Sequence, residues 1–268
     1  MEDYKTPEDE LFYFDKVVWH QSSFCTRHYH NSFEIYYLKE GYCNYFIDNR
    51  SYDLEPGDLV LIPEGTIHKT MYKKEKHTRL LINCTSYYVP ASMRSVIPSM
   101  LYLYRNPALS KDIEEIMEKI AAEYERNDIY RTEALRCLTH ELFFLLARNA
   151  SNRARVETGN IFVEQTVNYI QENYMNDITL SEMARMRAVS PEHLSRTFKK
   201  ETGFGFSEYL TLVRLQKAEY MLRNEPGKSI SEVAYATGFN DSNYFSDKFK
   251  RTYGITPSKM KKKISLLR

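Results

Sequence analysis

The sequence predicts a multidomain β-plus-α protein: an N-terminal all-β domain, intervening helices, and a C-terminal all-α domain built from two similar helical units joined by one long helix. Three observations carry this. Residues 17 to about 88 alternate short apolar runs with turn residues, residues past Pro107 switch to helical spacing, and residues 158 to 268 repeat themselves at an offset of 50 to 51. A length of 268 residues suits about two domains, each large enough to bury its own core.

The β reading rests on the runs Phe33 to Leu38, Tyr42 to Ile47, Leu59 to Ile62 and Leu80 to Cys84. Turn residues separate them, at Glu40-Gly41, Asp48-Asn49, Pro56-Gly57 and Pro63-Glu64-Gly65. Short strands with turns every 8 to 12 residues predict an antiparallel sandwich or barrel, here over residues 1–106. In residues 107–150 the apolar positions are Ile113, Ile116, Met117 and Ile120, then Leu135, Leu138, Leu142, Leu145 and Leu146. Spacings of three and four make two amphipathic helices, whose stripes either cover the β-domain or form a dimer seam. The polar stretch around residues 151–158 reads as a linker.

Within residues 159–268, Ser181-Glu182-Met183-Ala184 recurs as Ser231-Glu232-Val233-Ala234, offset by 50. Phe198-Lys199-Lys200, with Gly203 after it, recurs as Phe249-Lys250-Arg251 with Gly254, offset by 51, so the second copy carries one extra residue in its turn. Each copy opens on a capping signal, Thr179-x-x-Glu182 or Ser229-x-x-Glu232, and continues into a second helix. In the first copy Ser190 and Pro191 start that helix; Leu194 and Phe198 face inward, leaving Glu192, Ser195, Arg196, Lys199 and Lys200 outside. In the second, Phe245 and Phe249 face inward, leaving Ser242, Asn243, Ser246, Asp247 and Lys250 accessible. A short helix, a turn, then a helix with a polar outer face is a helix-turn-helix. Between the copies, residues 206 to 223 read as one helix of about 27 Å, which could set two recognition helices near the roughly 34 Å spacing of successive major grooves.

Residues 160 to 262 resemble the DNA-binding domain of the AraC/XylS family of transcriptional regulators. The matching positions include Ile178, Leu180, Ala184, Ser190, Leu194, Phe198, Gly203, Arg214 and Ala218, then Ile230, Ala234, Gly238, Phe239, Tyr244, Phe245, Phe249, Gly254 and Pro257. The resemblance implies binding to double-stranded DNA. Base-edge contacts would come from Glu192, Ser195 and Arg196 and from Ser242, Asn243 and Ser246, with Lys199, Lys200, Lys250 and Arg251 nearer phosphate. Arg214 would touch phosphate or form a structural ion pair. Asp247 departs from the family pattern, standing where many relatives carry a base, and would repel phosphate.

In the β-domain, His28-x-His30-x3-Glu34 and, later, Gly57-x5-Pro63-x-Gly65-x2-His68 resemble the two cupin motifs, with Gly41 seven residues past Glu34. A cupin-like β-barrel is implied, and metal-binding cupins use these three imidazoles and one carboxylate. Tyr72 stands where the second motif usually has Asn. AraC-type sensors keep such residues while binding organic effectors, often sugars. Three uses therefore stand open for His28, His30, Glu34 and His68: a divalent transition metal, an organic effector with Tyr36 and Tyr45 stacking on its ring, or a structural polar cluster. His20, His77, His140 and His193 lack such a setting and read as structural or surface residues.

Charge agrees with this division. Residues 1–157 carry a net charge of −4 and residues 158–268 a net charge of +5, so the C-terminal part is where a polyanion would be met. Four separated cysteines, Cys25, Cys43, Cys84 and Cys137, give no zinc ribbon or disulfide framework, and the longest apolar run, Leu142 to Ala147, is too short to span a bilayer. A cytoplasmic protein without a signal peptide or membrane association is expected. The function implied is a non-enzymatic, sequence-specific transcriptional regulator whose N-terminal domain senses a small molecule, with a sugar as one option. It would act as a homodimer, contact RNA polymerase if an activator, and require no cofactor. The alternative is a metal-dependent cupin enzyme with an accessory DNA-binding domain.

Overall fold

The computed structural model describes residues 11–19, 30, 32–72, 76–97, 102–149 and 160–265, which form two compact units, the first drawn from residues 1–47 and 52–158 and the second from residues 159–268 together with 48–51. The expected linker and His28 lie outside the described residues.

The N-terminal unit holds strands β1 (Phe12–Trp19), β2 (Phe33–Glu40), β3 (Cys43–Ile47), β4 (Arg50–Leu54), β5 (Leu59–Ile62), β6 (His68–Tyr72), β7 (His77–Cys84) and β8 (Leu103–Tyr104). They form a five-stranded sheet in the order β1-β7-β2-β5-β8 and a three-stranded sheet in the order β4-β3-β6. Strands β2, β3, β5 and β7 are the four apolar runs of the sequence. Strands β4 and β6 mix polar residues into every pair and so leave no run to read. The β2–β3 turn depends on Gly41, whose φ is 88° and whose absent Cβ would stand 2.6 Å from the Lys76 carbonyl oxygen.

Strand β2 is buried on both faces. Phe33, Ile35 and Tyr37 join Leu59, Leu61, Leu80 and Ile82 in a core that is closed by helices α1 (Pro107–Tyr124) and α2 (Arg131–Asn149). Tyr36 and Leu38 face the other way, into a second core with Tyr45, Ile47, Val60 and Ile62. Helix α1 starts at Pro107 behind Asn106, whose side chain accepts from Ala108 N, and the Lys39 ammonium on β2 meets Glu114 and Glu118 of α1 at 2.8 Å each. Ile113, Ile116, Met117 and Ile120 of α1 and Leu135, Leu142 and Leu146 of α2 all enter the sheet core, with Leu138 and Leu145 packed against it. The residues of the helical stripes therefore cover the sheet and are not available to a dimer seam.

The C-terminal unit contains α3 (Ile161–Asn173), α4 (Leu180–Met186), α5 (Pro191–Thr202), α6 (Phe206–Asn224), α7 (Ile230–Ala236), α8 (Ser242–Tyr253) and α9 (Pro257–Ser265). Both capping boxes are present, and the extra residue of the second copy lies in the α7–α8 turn. Helix α6 is one continuous segment of 19 residues, about 28 Å long, and buries eight of them, from Phe206 to Leu222.

Adjacent phenylalanines on α2 separate the two faces: Phe143 is fully buried and Phe144 is 42% exposed. Phe143→Ala is expected to cost about 3 to 5 kcal/mol in urea unfolding and Phe144→Ala less than about 0.5 kcal/mol. Equal losses would mean that α2 does not pack as described.

Candidate nucleic-acid interface and effector site

The side chains expected to face DNA lie on two helices, α5 and α8, whose ends are fixed in the same way. The Ser190 hydroxyl accepts from His193 N at the start of α5, and the Asp241 carboxylate accepts from Tyr244 N at the start of α8. Each helix stops at a glycine in the left-handed conformation, Gly203 (φ 76°) or Gly254 (φ 73°). Leu194 and Phe198 bury one face of α5, and Phe245 and Phe249 bury that of α8. Glu192, Ser195, Arg196, Lys199 and Lys200 are consequently all exposed along one row of α5.

Helix α8 differs in how its polar groups are used. Asn243 and Lys250 are exposed and Ser242 is half-buried, but the half-buried Ser246 donates its hydroxyl to the Ser242 carbonyl of its own helix. Asp247 accepts from Arg251 Nε at 3.0 Å, so the acid that would repel phosphate is offset by the neighbouring cation. Such an exposed pair is worth only a few tenths of a kcal/mol, and it leaves Arg251 less free for phosphate than the sequence implies.

The structure gives Arg214 a structural role through backbone carbonyls. Its guanidinium is held by carbonyls: Nε donates to the Tyr174 carbonyl and Nη2 to the Asn176 carbonyl, both at 2.8 Å. These carbonyls lie in the turn before α4. The same guanidinium sits 6.0 Å from the Phe239 ring, and a Cβ on Gly238 (φ 85°) would stand 2.9 Å from Arg214 Nε. Arg214 thereby ties the approach to the first helix-turn-helix to the turn of the second. Burial lowers its pKa from the usual value, a measure of how much water the contact excludes.

In the N-terminal unit β2 and β6 bring Glu34 and His68 together, with His30 beside them. His30 Nε2 lies 3.0 Å and His68 Nε2 3.7 Å from Glu34 Oε2, and the Tyr45 hydroxyl donates to Glu34 Oε1. His68 Nδ1 donates to the Thr66 carbonyl at 2.7 Å, and His30 Nδ1 lies 3.0 Å from the Ser32 carbonyl, which can only accept. Both imidazoles turn Nε2 toward one carboxylate oxygen; His68, whose Nδ1 donates to a carbonyl, would meet it as an imidazolium or through a cation, whereas the Ser32 hydroxyl, 2.9 Å from His30 Nδ1, can donate there and leave His30 Nε2–H to donate to Glu34. Burial pushes the Glu34 carboxyl up, but His68 and the hydrogen bonds from both histidines outweigh it and hold the group well below the usual range. Burial pulls His68 down, yet Glu34 outweighs that and leaves it raised. The three donor atoms lie within 4.8 Å of one another. Ligand atoms around a tetrahedral zinc stand about 3.3 Å apart, so the three groups could hold a divalent metal only by drawing closer together.

Tyr36 and Tyr45 are both only 1% exposed, with their rings edge to face at 5.2 Å. His77 is buried and stacked on Tyr72 at 3.9 Å, as befits a structural residue. Sequence reasoning passed over Arg79, which projects from β7 into the same interior. The signal was there: a lone cation inside His77-Thr78-Arg79-Leu80-Leu81-Ile82.

Comparison with known proteins matches residues 19–143 to the model of an AraC-like ligand binding domain and residues 183–263 to that of a helix-turn-helix domain. The chain belongs to the AraC/XylS family of transcriptional regulators. AraC-type relatives along most of its length include the HTH-type transcriptional activator RhaS of Klebsiella pneumoniae, 24% identical over 88% of this chain and 87% of that one. The Msm operon regulatory protein of Streptococcus mutans is 25% identical over 96% of both chains. Among solved structures, ToxT of Vibrio cholerae matches with a TM-score of 0.40 at 14% identity, over 95% of this chain and 98% of that one. Members of this family bind DNA and a small-molecule effector, and no described helix here is long and apolar enough to cross a membrane.

In an AraC-type domain, the pairing on α8 predicts a gain of function. Asp247→Asn removes one negative charge and frees Arg251, so it should tighten binding to any duplex and steepen the salt dependence of log Kd by about one unit. Fluorescence anisotropy across a salt series measures both, and an unchanged slope would place Asp247 and Arg251 away from phosphate.

Proposed function

We propose that this chain is a sequence-specific DNA-binding regulator that reads bases chiefly through α5, while its N-terminal unit senses an organic effector. The observation that carries the reading is the exposed row Glu192, Ser195, Arg196, Lys199 and Lys200 on a helix capped at both ends, none of it drawn into an ion pair among the described residues. Arg196 suits bidentate pairing with guanine, and the two lysines suit phosphate. Ser242 and Asn243 would supplement this from α8, and Lys250 would add a phosphate contact.

Polar groups converging on the interior of the N-terminal unit support a small hydroxylated effector such as a sugar, held by His30, Glu34 and His68. A homodimer would join through the outer face of α2, where Phe144 is exposed beside the half-buried Leu145. RhaS is named an activator, and a chain acting in that way would also contact RNA polymerase.

Selection of bound duplexes from a random pool tests the DNA reading. A motif should emerge, and Arg196→Ala should weaken the selected site by about 1 to 3 kcal/mol and relax one base position. Lys199→Ala should weaken all duplexes alike and reduce the salt slope by about one. Failure to enrich any motif would sink the proposal.

The two Nε2 atoms facing Glu34 favour a second reading for that cluster, a metal held by His30, Glu34 and His68. Bound there, a metal would replace the shared protons and fasten β6 to β2. On this reading Zn(II) or Mn(II) raises the unfolding temperature of the full chain, a chelator reverses the rise, and His68→Ala abolishes it. A rise that persists in His68→Ala would rule the cluster out as the metal site.

A further inference from the structure

The positive charge of the C-terminal part is unevenly placed. Residues 158–256, which include both helix-turn-helix motifs, hold 12 basic and 12 acidic side chains, whereas residues 257–268 hold five basic and no acidic ones. The net charge of +5 that sets this part of the chain apart therefore comes entirely from its last dozen residues, and four of those five cations stand on α9. Neither recognition helix has a comparable excess: α5 carries a net charge of +1, and so does α8 once its cap Asp241 is counted.

Helix α9 sorts its cations by face. Pro257 and Met260 are buried and Ile264 is half-buried, while Lys259, Lys262 and Lys263, three and four residues apart, are exposed together on the other side. None of these three ammonium groups meets a carboxylate among the described residues. Lys261 is used differently: its Nζ donates to the Lys228 carbonyl at 2.6 Å, next to the Ser229 that caps α7, and so pins α9 to the start of the second motif. Helix stability does not account for the exposed stripe. Lys262 and Lys263, in the last turn, suit the negative end of the helix dipole, but Lys259 stands in the first turn, where an acid is favoured. Like charges four apart, as at Lys259 and Lys263, also weaken a helix.

We propose that Lys259, Lys262 and Lys263 form a phosphate-binding stripe that holds the backbone of double-stranded DNA beside the second helix-turn-helix, a contact separate from both recognition helices. In such a motif the first helix crosses the backbone while the second enters the groove, so a helix pinned to the start of α7 lies at the backbone. The stripe also continues the cations Lys250 and Arg251 of the last turn of α8, after the short connection Gly254-Ile255-Thr256. An ammonium group meets phosphate as a point charge and reads no base, so the stripe adds affinity for any duplex and leaves selectivity to α5 and α8. It makes good what α8 withholds, where Ser246 and Arg251 are engaged within their own helix. The stripe rests on the reading of the chain as a DNA-binding regulator, and adds to it the element that supplies its net positive charge.

The test uses the full chain and two labelled duplexes, one of mixed sequence and one carrying the site enriched from the random pool, in fluorescence anisotropy across a salt series. The combined variant Lys259→Gln, Lys262→Gln, Lys263→Gln should flatten the dependence of log Kd on log salt by about two to three units and weaken both duplexes roughly a hundredfold at about 0.1 M salt, with the ratio between them unchanged. Its unfolding temperature should not fall, because the three side chains are exposed. The combined variant Lys259→Arg, Lys262→Arg, Lys263→Arg should keep the wild-type slope, which separates charge from packing. An unchanged slope in the glutamine variant overturns the stripe but leaves the DNA reading in place, and is the result expected if these lysines meet an acidic protein surface instead. Weakening confined to the enriched duplex overturns it too, because the lysines would then read bases. A wild-type chain that binds neither duplex brings down the DNA reading itself. Earlier unfolding of the glutamine variant, with the slope lost in the arginine variant as well, would make the stripe structural.

Discussion

Strand β2 must bury both of its faces, and the N-terminal unit is organised around that requirement. Its odd-numbered residues Phe33, Ile35 and Tyr37 would be exposed on a two-layer sandwich, so α1 and α2 close over them as a third layer. Its even-numbered residues Glu34, Tyr36 and Leu38 face the space between the sheets, where the carboxylate can be held only by compensation from His30, His68 and Tyr45. The covering helices and the polar interior are thus two consequences of one strand's alternation. This also explains why the α2 stripe is occupied by the sheet. A second copy would find only the residues left outside, Phe144 foremost.

The C-terminal unit solves a different problem, holding two duplicated motifs at a fixed separation. A long helix alone fixes distance but not rotation about its axis. Arg214 supplies the missing constraint, because its two carbonyl partners lie before α4 while its flank packs on Gly238 and Phe239 after α7. Only a planar cation with several donors can satisfy two carbonyls and still present a face to an aromatic ring; lysine could not. The two copies then diverge where the fold permits it. Helix α5 leaves its cations free, whereas α8 spends Ser246 and part of Arg251 within itself.

Much of this was legible in the sequence because the signals are local. Caps at Thr179, Ser190 and Ser229, glycines at 203 and 254, and the apolar pairs of α5 and α8 each depend on neighbours within one or two turns. The pair Asp247 and Arg251 was legible too, being four apart on a helix, but its consequence for DNA depends on which groups compete for Arg251. What could not be read depends on contacts distant in sequence. Arg214 matched a family position, yet its carbonyl partners lie about 40 residues away. Arg79 and Asp15 each interrupt an apolar strand, a visible anomaly, but only the register of β1 on β7 puts them on one face.

That anomaly bears on how a sensor of this kind can respond at all. A ligand shifts an equilibrium only by the difference in its affinity for two states. Each buried polar atom left unpaired costs about 1 to 3 kcal/mol, against a total stability of about 5 to 15 kcal/mol for an ordinary domain. Arg79 Nη1 and Asn83 Oδ1 are two buried atoms without a protein partner on the inner face of β7, so the surrounding core rather than their own bonds to protein holds them in place. A ligand that paired those atoms would stabilise this arrangement over any other by a comparable amount. A ligand bound between the sheets would act on the strands whose opposite face carries α1 and α2.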